Sequence, residues 1–480
     1  MPIAPSRLLP LALLAILAGC GLDSSPTQSA RSGRVIVISL DTLRADRLGL
    51  YGYGRPTSPE LERFAKGATV YTRAQAAAPW TLPSHVSLFT GLHPYEHGAR
   101  TWSQDQLGSL QSKGWTPSNN AGPLAPEHQT LAEVLQAEGY ATGAVVTNIA
   151  FMHPHYGVAQ GFEHYDQRRT DWQGVNERAL DWLDTNGDGP FLLFLNYMDT
   201  HRPYNRSPRP EFPRASEGPD ALAKVAPLVM DPEAVAPPEL LAACSDQYDL
   251  AVANLDEGLG ALFDDLRSRG LFEDTTILLT SDHGEFLGEQ QLIEHSKDVY
   301  QPVLHVPLIV KAPGQSAGKV DENWIGHVHM AALLLPHLEL RDPKTVADAL
   351  VHHRRGLHPV LSENYYTRYH DLAAPWGERF RRVRRTLVEG PWKYIESSDG
   401  QHELYDLEAD PREGHSLLED RPERAAELRA TMTRLLGELR PAPLPGTLTP
   451  LGAEHLEAMR TLGYANGPQE EGNDGDESRK

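Results

Sequence analysis

Five short apolar runs, most of them rich in β-branched residues, punctuate this chain: Val35 to Leu40, Thr142 to Thr147, Phe191 to Tyr197, Thr276 to Thr280 and Val306 to Val310. Runs of this length without polar alternation suit strands buried on both faces. Between them lie stretches with helical spacing, at Pro59 to Lys66, Thr130 to Glu138, Val175 to Leu183 and Gln247 to Arg269. The last sets Tyr248, Val252, Leu255, Leu259, Leu262 and Leu266 along one face and is stopped by Gly270. Strand and helix in alternation predict an α/β fold, a large and mostly parallel central sheet flanked by helices. Ligands of such sheets gather beyond the carboxyl ends of the strands, so chemistry is expected there.

Three polar clusters sit in that position: Asp41 after the first run, Asp199 and His201 after the third, and Asp282, His283 and Gly284 after the fourth. A single Asp after a strand is usually a turn former or a helix cap. Three clusters in one topological position, one of them an Asp-His pair, point to a metal or phosphate site. A fourth element runs from Pro79 to Gly91, with Pro83 suited to the first turn of a helix, Gly91 to its end, and Thr81 at or near the N-cap. Thr81 is read either as a plain cap or as a hydroxyl held where an anion would dock. In a helix His85 shares the face of Thr81.

With 480 residues the chain has room for two to four structural units and a large buried core. Acidic residues outnumber basic ones 65 to 44, a field that repels nucleic acid, so no nucleic-acid partner is expected. An anionic substrate would need that field reversed locally, for which a bound metal is the natural means. Two cysteines, Cys20 and Cys244, exclude a disulfide framework. Cys244 reads as an inert buried thiol. The run Arg379, Arg381, Arg382, Arg384 and Arg385 is either a strand face paired with nearby acids or a site for an anionic polymer.

The N-terminus reads as an address. Arg7 precedes an apolar run from Leu8 to Ala18, too short to span a bilayer but suited to a secretory signal. Leu17-Ala18-Gly19-Cys20 resembles the lipobox of bacterial lipoproteins, which implies lipidation of Cys20 and an extracytoplasmic, membrane-anchored product. The expected organisation is a signal peptide over 1–19, a flexible tether over 20–33, a catalytic domain over 34–345, a C-terminal subdomain over 346–464 and a disordered acidic tail over 465–480.

From Arg34 to about Tyr464 the chain resembles the sulfatase family of the alkaline phosphatase superfamily. The resemblance rests on Ile38-Ser39-Leu40-Asp41-Thr42-Leu43-Arg44-Ala45-Asp46, on Thr81-Leu82-Pro83-Ser84-His85 continuing to Thr90-Gly91-Leu92-His93-Pro94, and on Asp199-Thr200-His201-Arg202-Pro203-Tyr204. It continues in Thr280-Ser281-Asp282-His283-Gly284-Glu285 and His305-Val306-Pro307-Leu308, and near the end in Trp392-Lys393-Tyr394 and Glu403-Leu404-Tyr405-Asp406-Leu407. The resemblance implies a smaller C-terminal α+β subdomain, a four-stranded antiparallel sheet backed by a helix. It also implies that Asp41, Asp282 and His283 hold one divalent metal, with Thr81 as both ligand and nucleophile. His201, His295 and Lys297 would bind the ester, and His85, His201 and His295 would join Thr81 as catalytic residues. One imidazole among oxygen ligands favours Zn2+ or Mn2+, with Ca2+ as the alternative.

Departures from the family pattern bear on the reaction. Sulfatases usually carry Cys or Ser in a Cys/Ser-x-Pro-x-Arg pattern, and that residue is oxidised to formylglycine. Here Thr81 and His85 occupy the two ends of the pattern. Threonine cannot yield the aldehyde, so no formylglycine is expected. A threonine sulfate has no internal exit, whereas a threonine phosphate is opened by attack at phosphorus. The expectation is a metal-dependent hydrolase of anionic esters, with phosphate mono- or diesters favoured by the threonine. Sulfuric ester hydrolysis and phosphoalcohol transfer are the alternatives within this reading. Outside it stands an inactive metal- or glycan-binding lipoprotein.

Overall fold

The computed structural model describes residues 33–102, 121–204, 209–214, 221–350, 359–366, 371–372, 374–444 and 452–461. Cys20, the signal segment, the tether as far as residue 32 and the acidic tail lie outside the described residues. Eight strands form the main sheet: β1 (Arg34–Leu40), β2 (Thr69–Tyr71), β3 (Ala141–Val146), β4 (His164–Gln167), β5 (Phe191–Tyr197), β6 (Thr276–Thr280), β7 (Leu308–Lys311) and β8 (Lys319–Asp321). Their order is β8-β2-β7-β6-β1-β5-β3-β4, and β7 alone pairs antiparallel with its neighbours. The carboxyl ends of β6, β1, β5 and β3 therefore stand side by side.

The central strands are buried on both faces, as their composition predicts; every residue of β5 is buried. Phe194 meets His85 and Phe89 of helix α1 (Thr81–Thr90) edge-on at 5.8 and 4.9 Å between ring centroids. Phe191, three residues earlier and so on the opposite face, packs against Trp182 of α2 (Trp172–Asn186) at 5.9 Å. Both faces of β5 are thus covered by helices, and each fully buried aromatic ring contributes roughly 1.5–3 kcal/mol.

Three elements differ in extent from the sequence reading. The run Val306 to Val310 is broken at Pro307, with Leu308–Lys311 joining the main sheet and His305–Val306 a separate three-stranded one. Proline has no N–H for a ladder, so a single strand cannot continue through it. The long helix α3 spans Pro238–Ser268 and starts nine residues before Gln247, with Pro238 in its first turn. Helix α2 likewise extends beyond Val175 to Leu183 at both ends.

A four-stranded antiparallel sheet follows, β9 (Val360–Tyr365), β10 (Val383–Glu389), β11 (Trp392–Ser397) and β12 (Glu403–Asp406), in sequence order. It is backed by α4 (Pro422–Glu438), whose Ala425, Leu428 and Met432 share a small core with Leu361, Leu387, Tyr394 and Leu404. Four members of the arginine run are paired with neighbouring acids: Arg384 with Asp298 at 2.8 Å and with Glu403, Arg385 with Glu363 at 3.1 Å, Arg382 with Asp298 at 2.9 Å and Arg381 with Glu378 at 2.9 Å. Arg384 and Arg385, consecutive in β10, make their pairs from its opposite faces, and Arg382 makes its pair from just before the strand.

One buried ion pair ties this sheet to the part of the chain that carries the main sheet. Lys393 Nζ lies 2.6 Å from Glu413 Oε1 and donates to the Val299 carbonyl at 2.7 Å, and Glu413 Oε2 accepts from the Gln301 amide at 2.5 Å. Both side chains are fully buried. Glu413→Ala leaves an uncompensated ammonium in the interior and is expected to cost about 3–5 kcal/mol. Replacing both members with apolar residues should recover most of that loss. Urea unfolding of the two variants checks both statements.

Candidate active site and metal centre

Asp41 is the first residue past β1, and its main chain is clamped on both sides. Its N–H donates to the Tyr197 carbonyl at 2.8 Å, and its carbonyl accepts from Thr200 Oγ1 at 2.6 Å. The next residue, Thr42, has φ 64°, a left-handed conformation that is costly for a β-branched residue. It is held there by the Tyr248 hydroxyl, which donates to the Thr42 carbonyl at 2.7 Å, and by its own N–H, which donates to Asp282 Oδ1 at 3.2 Å. The strained turn thus carries Asp41 on one side and a hydrogen bond to Asp282 on the other.

Asp282 and His283 leave β6 in the same direction. Asp282 Oδ1 also accepts from the His283 N–H at 2.9 Å. The His283 ring is fixed in one tautomer: Nδ1–H donates to the Gly284 carbonyl at 2.9 Å, so Nε2 carries the lone pair. That lone pair lies 3.3 Å from Asp282 Oδ2 and 3.5 Å from Thr81 Oγ1. Gly284 is required by close approach, since a Cβ there would lie 2.0 Å from the Pro302 carbonyl oxygen.

The ligand atoms of Asp41, Asp282 and His283 all lie within 4.8 Å of one another, and all three residues are fully buried. Asp41 Oδ1 and Asp282 Oδ2 accept no hydrogen bond among the described residues. Burial, with the neighbouring Asp282 charge, holds the Asp41 carboxyl well above its ordinary range, and burial pushes Asp282 up to about 7. Two carboxylates, each with one oxygen that accepts no hydrogen bond among the described residues, and an imidazole nitrogen thus lie together, withdrawn from water. A divalent cation fits this group, with oxygen and one imidazole as donors.

Thr81 is the first residue of α1, with Trp80 in the cap position, so its side chain does not cap the helix. Thr81 Oγ1 lies 3.5 Å from both His283 Nε2 and Asn148 Nδ2 and is 1 % exposed. Asn148 Nδ2 also donates to Asp41 Oδ2 at 2.9 Å. Asn148 was not singled out from the sequence, although it follows β3 as Asp41 follows β1, and the strand-end rule that flagged Asp41 applies to it equally.

His85 lies beneath this group. Its Nδ1–H donates to the Thr81 carbonyl at 2.9 Å, its Nε2 accepts from Ser39 Oγ at 2.8 Å, and Nδ1 is 3.6 Å from Asp282 Oδ2. Burial pushes this imidazole down to about 3, so it is neutral. His201 and His295 stand alongside: the ring of His295 is 4.5 Å from that of His283 and 5.4 Å from that of His201. Burial, with the His295 charge, takes His201 down to about 3. Lys297 is engaged in ion pairs, with Glu294 at 3.2 Å and Asp371 at 3.5 Å. Asp199 does not join the three-residue metal group; its Oδ1 accepts from the Trp172 N–H at 3.3 Å. Cys244 is buried, and burial pushes its thiol up to about 12.

A family profile described as Sulfatase matches residues 34–340. The chain belongs to the sulfatase family. Its curated relatives include the N-acetylgalactosamine-6-O-sulfatase of Bacteroides thetaiotaomicron, 22% identical over 88% of this chain and 97% of the relative. A second is the multifunctional alkaline phosphatase superfamily protein PehA of Trinickia caryophylli, 25% identical over 80% of this chain and 91% of that one. Among solved structures, the phosphonate monoester hydrolase of Agrobacterium radiobacter has the same fold, with a TM-score of 0.63 at 18% identity over 84% of this chain and 95% of that chain. This chain is thus a sulfatase-family hydrolase, a member of the alkaline phosphatase superfamily. No helix among its described residues is long and apolar enough to cross a membrane.

Proposed function

We propose that this sulfatase-family member hydrolyses anionic esters with Thr81 as the nucleophile and prefers phosphate mono- or diesters to sulfate esters. The observation that carries the reading is the placement of the Thr81 hydroxyl, at the positive end of α1 and 3.5 Å from both His283 Nε2 and Asn148 Nδ2. Asp41, Asp282, His283 Nε2 and Thr81 Oγ1 would hold the metal, with zinc or manganese favoured by the mixed donor set. A divalent cation bound there lowers the pKa of a ligating hydroxyl and screens the negative ester during attack.

The side chains supply the rest. Asn148 holds Asp41 and the nucleophile in one hydrogen-bonded arrangement. Thr81 Oγ attacks phosphorus and gives up its hydroxyl proton, the bond from phosphorus to the alcohol oxygen breaks with its electron pair on that oxygen, and the alcohol leaves having taken up one proton in exchange. Water then attacks phosphorus, and the bond to Oγ breaks to restore Thr81. A threonine ester of sulfate lacks the collapse open to a formylglycine hydrate, and it must await attack at sulfur. His295 stands beside His283 at 4.5 Å and His201 beside His295 at 5.4 Å between ring centroids, and both would contact the ester. His85 fixes the Thr81 main chain through its carbonyl.

The relatives' names support the class of substrate: one is a sulfatase acting on a sulfated sugar and one a phosphonate ester hydrolase. The substrate is a phosphorylated or sulfated alcohol, sugar or lipid. Cys20 carries a lipid anchor, and the enzyme works outside the cytoplasm on a bacterial membrane surface. Sulfate ester cleavage is the second reading, favoured by family membership. Metal-loaded protein tested against nitrophenyl phosphate, bis-nitrophenyl phosphate and nitrophenyl sulfate decides between them. A phosphate ester should exceed the sulfate by at least about tenfold in kcat/KM, some 1.4 kcal/mol of transition-state preference. Equal rates, or a faster sulfate, overturn the preference.

A further inference from the structure

His295 lies in a loop that is strained on both sides of it. Glu294 has φ 62° and Ser296 φ 66°, and left-handed backbone at non-glycine residues costs about 1–3 kcal/mol each. The surroundings hold the strain in place. The Ser296 N–H donates to the Pro79 carbonyl at 2.8 Å, and Asn364 Nδ2 donates to the Ser296 carbonyl at 3.2 Å. Arg202 pairs with Glu294 at 2.7 Å. Pro79 is two residues from Thr81, so the loop is pinned directly to the segment that carries the nucleophile.

The imidazole itself is gripped from behind. His295 Nδ1–H donates to Glu285 Oε1 at 2.9 Å, and Glu285 Oε2 accepts from the Tyr204 hydroxyl at 3.0 Å. Glu285 is fully buried, and its main chain is fixed by its N–H to the Pro302 carbonyl at 3.1 Å and by Arg44 Nη1 to its own carbonyl at 2.9 Å. Tyr204 packs edge-on against Tyr248 at 5.5 Å, the same tyrosine that holds the strained turn beside Asp41. A continuous scaffold therefore links the Asp41 turn to the His295 ring.

We propose that Glu285 is a positioning residue of the reaction, which fixes the tautomer and rotation of His295 so that Nε2 is the nitrogen presented to the ester at Thr81. The proposal rests on the reading of this site as an ester-cleaving one. Carboxylates that orient a working histidine from its far nitrogen are worth about 10–100-fold when removed. Glu285 carries no role in the nucleophile or metal assignments, and its hydrogen bond to a histidine of the site is the one to His295 Nδ1–H.

The test is a double-mutant cycle on the metal-loaded, full-length protein with nitrophenyl phosphate. E285L should lower kcat by about 100-fold with KM and metal content little changed, and E285Q, which keeps an acceptor for Nδ1–H, by less than about tenfold. H295A placed on E285L should add less than about threefold, because the two losses share one cause. In parallel, proton spectra of 15N-histidine-labelled protein should show an imidazole N–H signal that H295A and E285L abolish and E285Q retains. Additive losses in the cycle, an E285Q as poor as E285L, or an N–H signal that survives in E285L each overturn the proposal. Should no ester be turned over, the spectra decide it alone. Full activity in Thr81→Ala sinks the nucleophile assignment and leaves the spectral result untouched, so the two failures are distinguishable.

Discussion

Thr81→Ala is expected to abolish turnover of every ester the protein cleaves, by about 10^4-fold or more, while Thr81→Ser keeps measurable activity. The substitution removes the attacking oxygen and leaves the helix that carries it, since Thr81 makes no capping hydrogen bond. Residual rate would come only from binding and electrostatic stabilisation, which in hydrolases lacking their nucleophile is small. Wild-type protein quenched in acid during turnover should carry phosphate on the peptide that contains Thr81, and Thr81→Ala should not. Initial rates and peptide mass spectrometry check the two halves. An alanine variant as active as wild type would remove the nucleophile from the account.

Asp282→Asn is expected to lose metal affinity by at least about 100-fold and, at the same time, to stabilise the metal-free protein. The two effects have one origin. Asp282 Oδ2 is a fully buried carboxylate oxygen that accepts no hydrogen bond among the described residues and lies 3.3 Å from His283 Nε2. An amide keeps Oδ1 as acceptor for the Thr42 and His283 N–H groups and places an N–H donor opposite Nε2. The variant satisfies internally what the cation satisfies in the wild type, a gain of about 1–3 kcal/mol for the metal-free fold. A ligand at 100 times its Kd stabilises by about 2.7 kcal/mol, so wild-type Tm should rise on adding zinc or manganese and fall with chelator. The Asn variant should have the higher Tm in chelator and respond little to metal. Calorimetry with and without chelator reads both, and a metal response equal to that of wild type would exclude Asp282 as a ligand.

Much of the site was legible in the sequence because it obeys a rule about strand ends. Asp41 and Asp282 follow buried runs whose composition marks them as strands, and parallel neighbours bring such ends together. Asn148 obeys the same rule and was missed because an amide carries no charge to draw notice. The role of His85 was not legible: spacing puts it on the face of Thr81, but its hydrogen bonds to Ser39 and to the Thr81 carbonyl depend on how α1 lies across β1. Glu285 stood in the motif without any sign of its partner, ten residues away across a strained loop.

The sequence by itself determined the α/β class, the family and the chemical types at the strand ends. These follow from local composition and from motifs that read the same in any context. Tertiary structure alone decided which groups share one buried volume, that the Nδ1 atoms of His283 and His295 are engaged by Gly284 and Glu285, and that Asp41 and Asp282 each keep an oxygen that accepts no hydrogen bond among the described residues. The reason is physical. Burial and hydrogen-bond distances are set by residues far apart in the chain, such as Ser281 and Leu40 at 241 positions, and no local pattern encodes them.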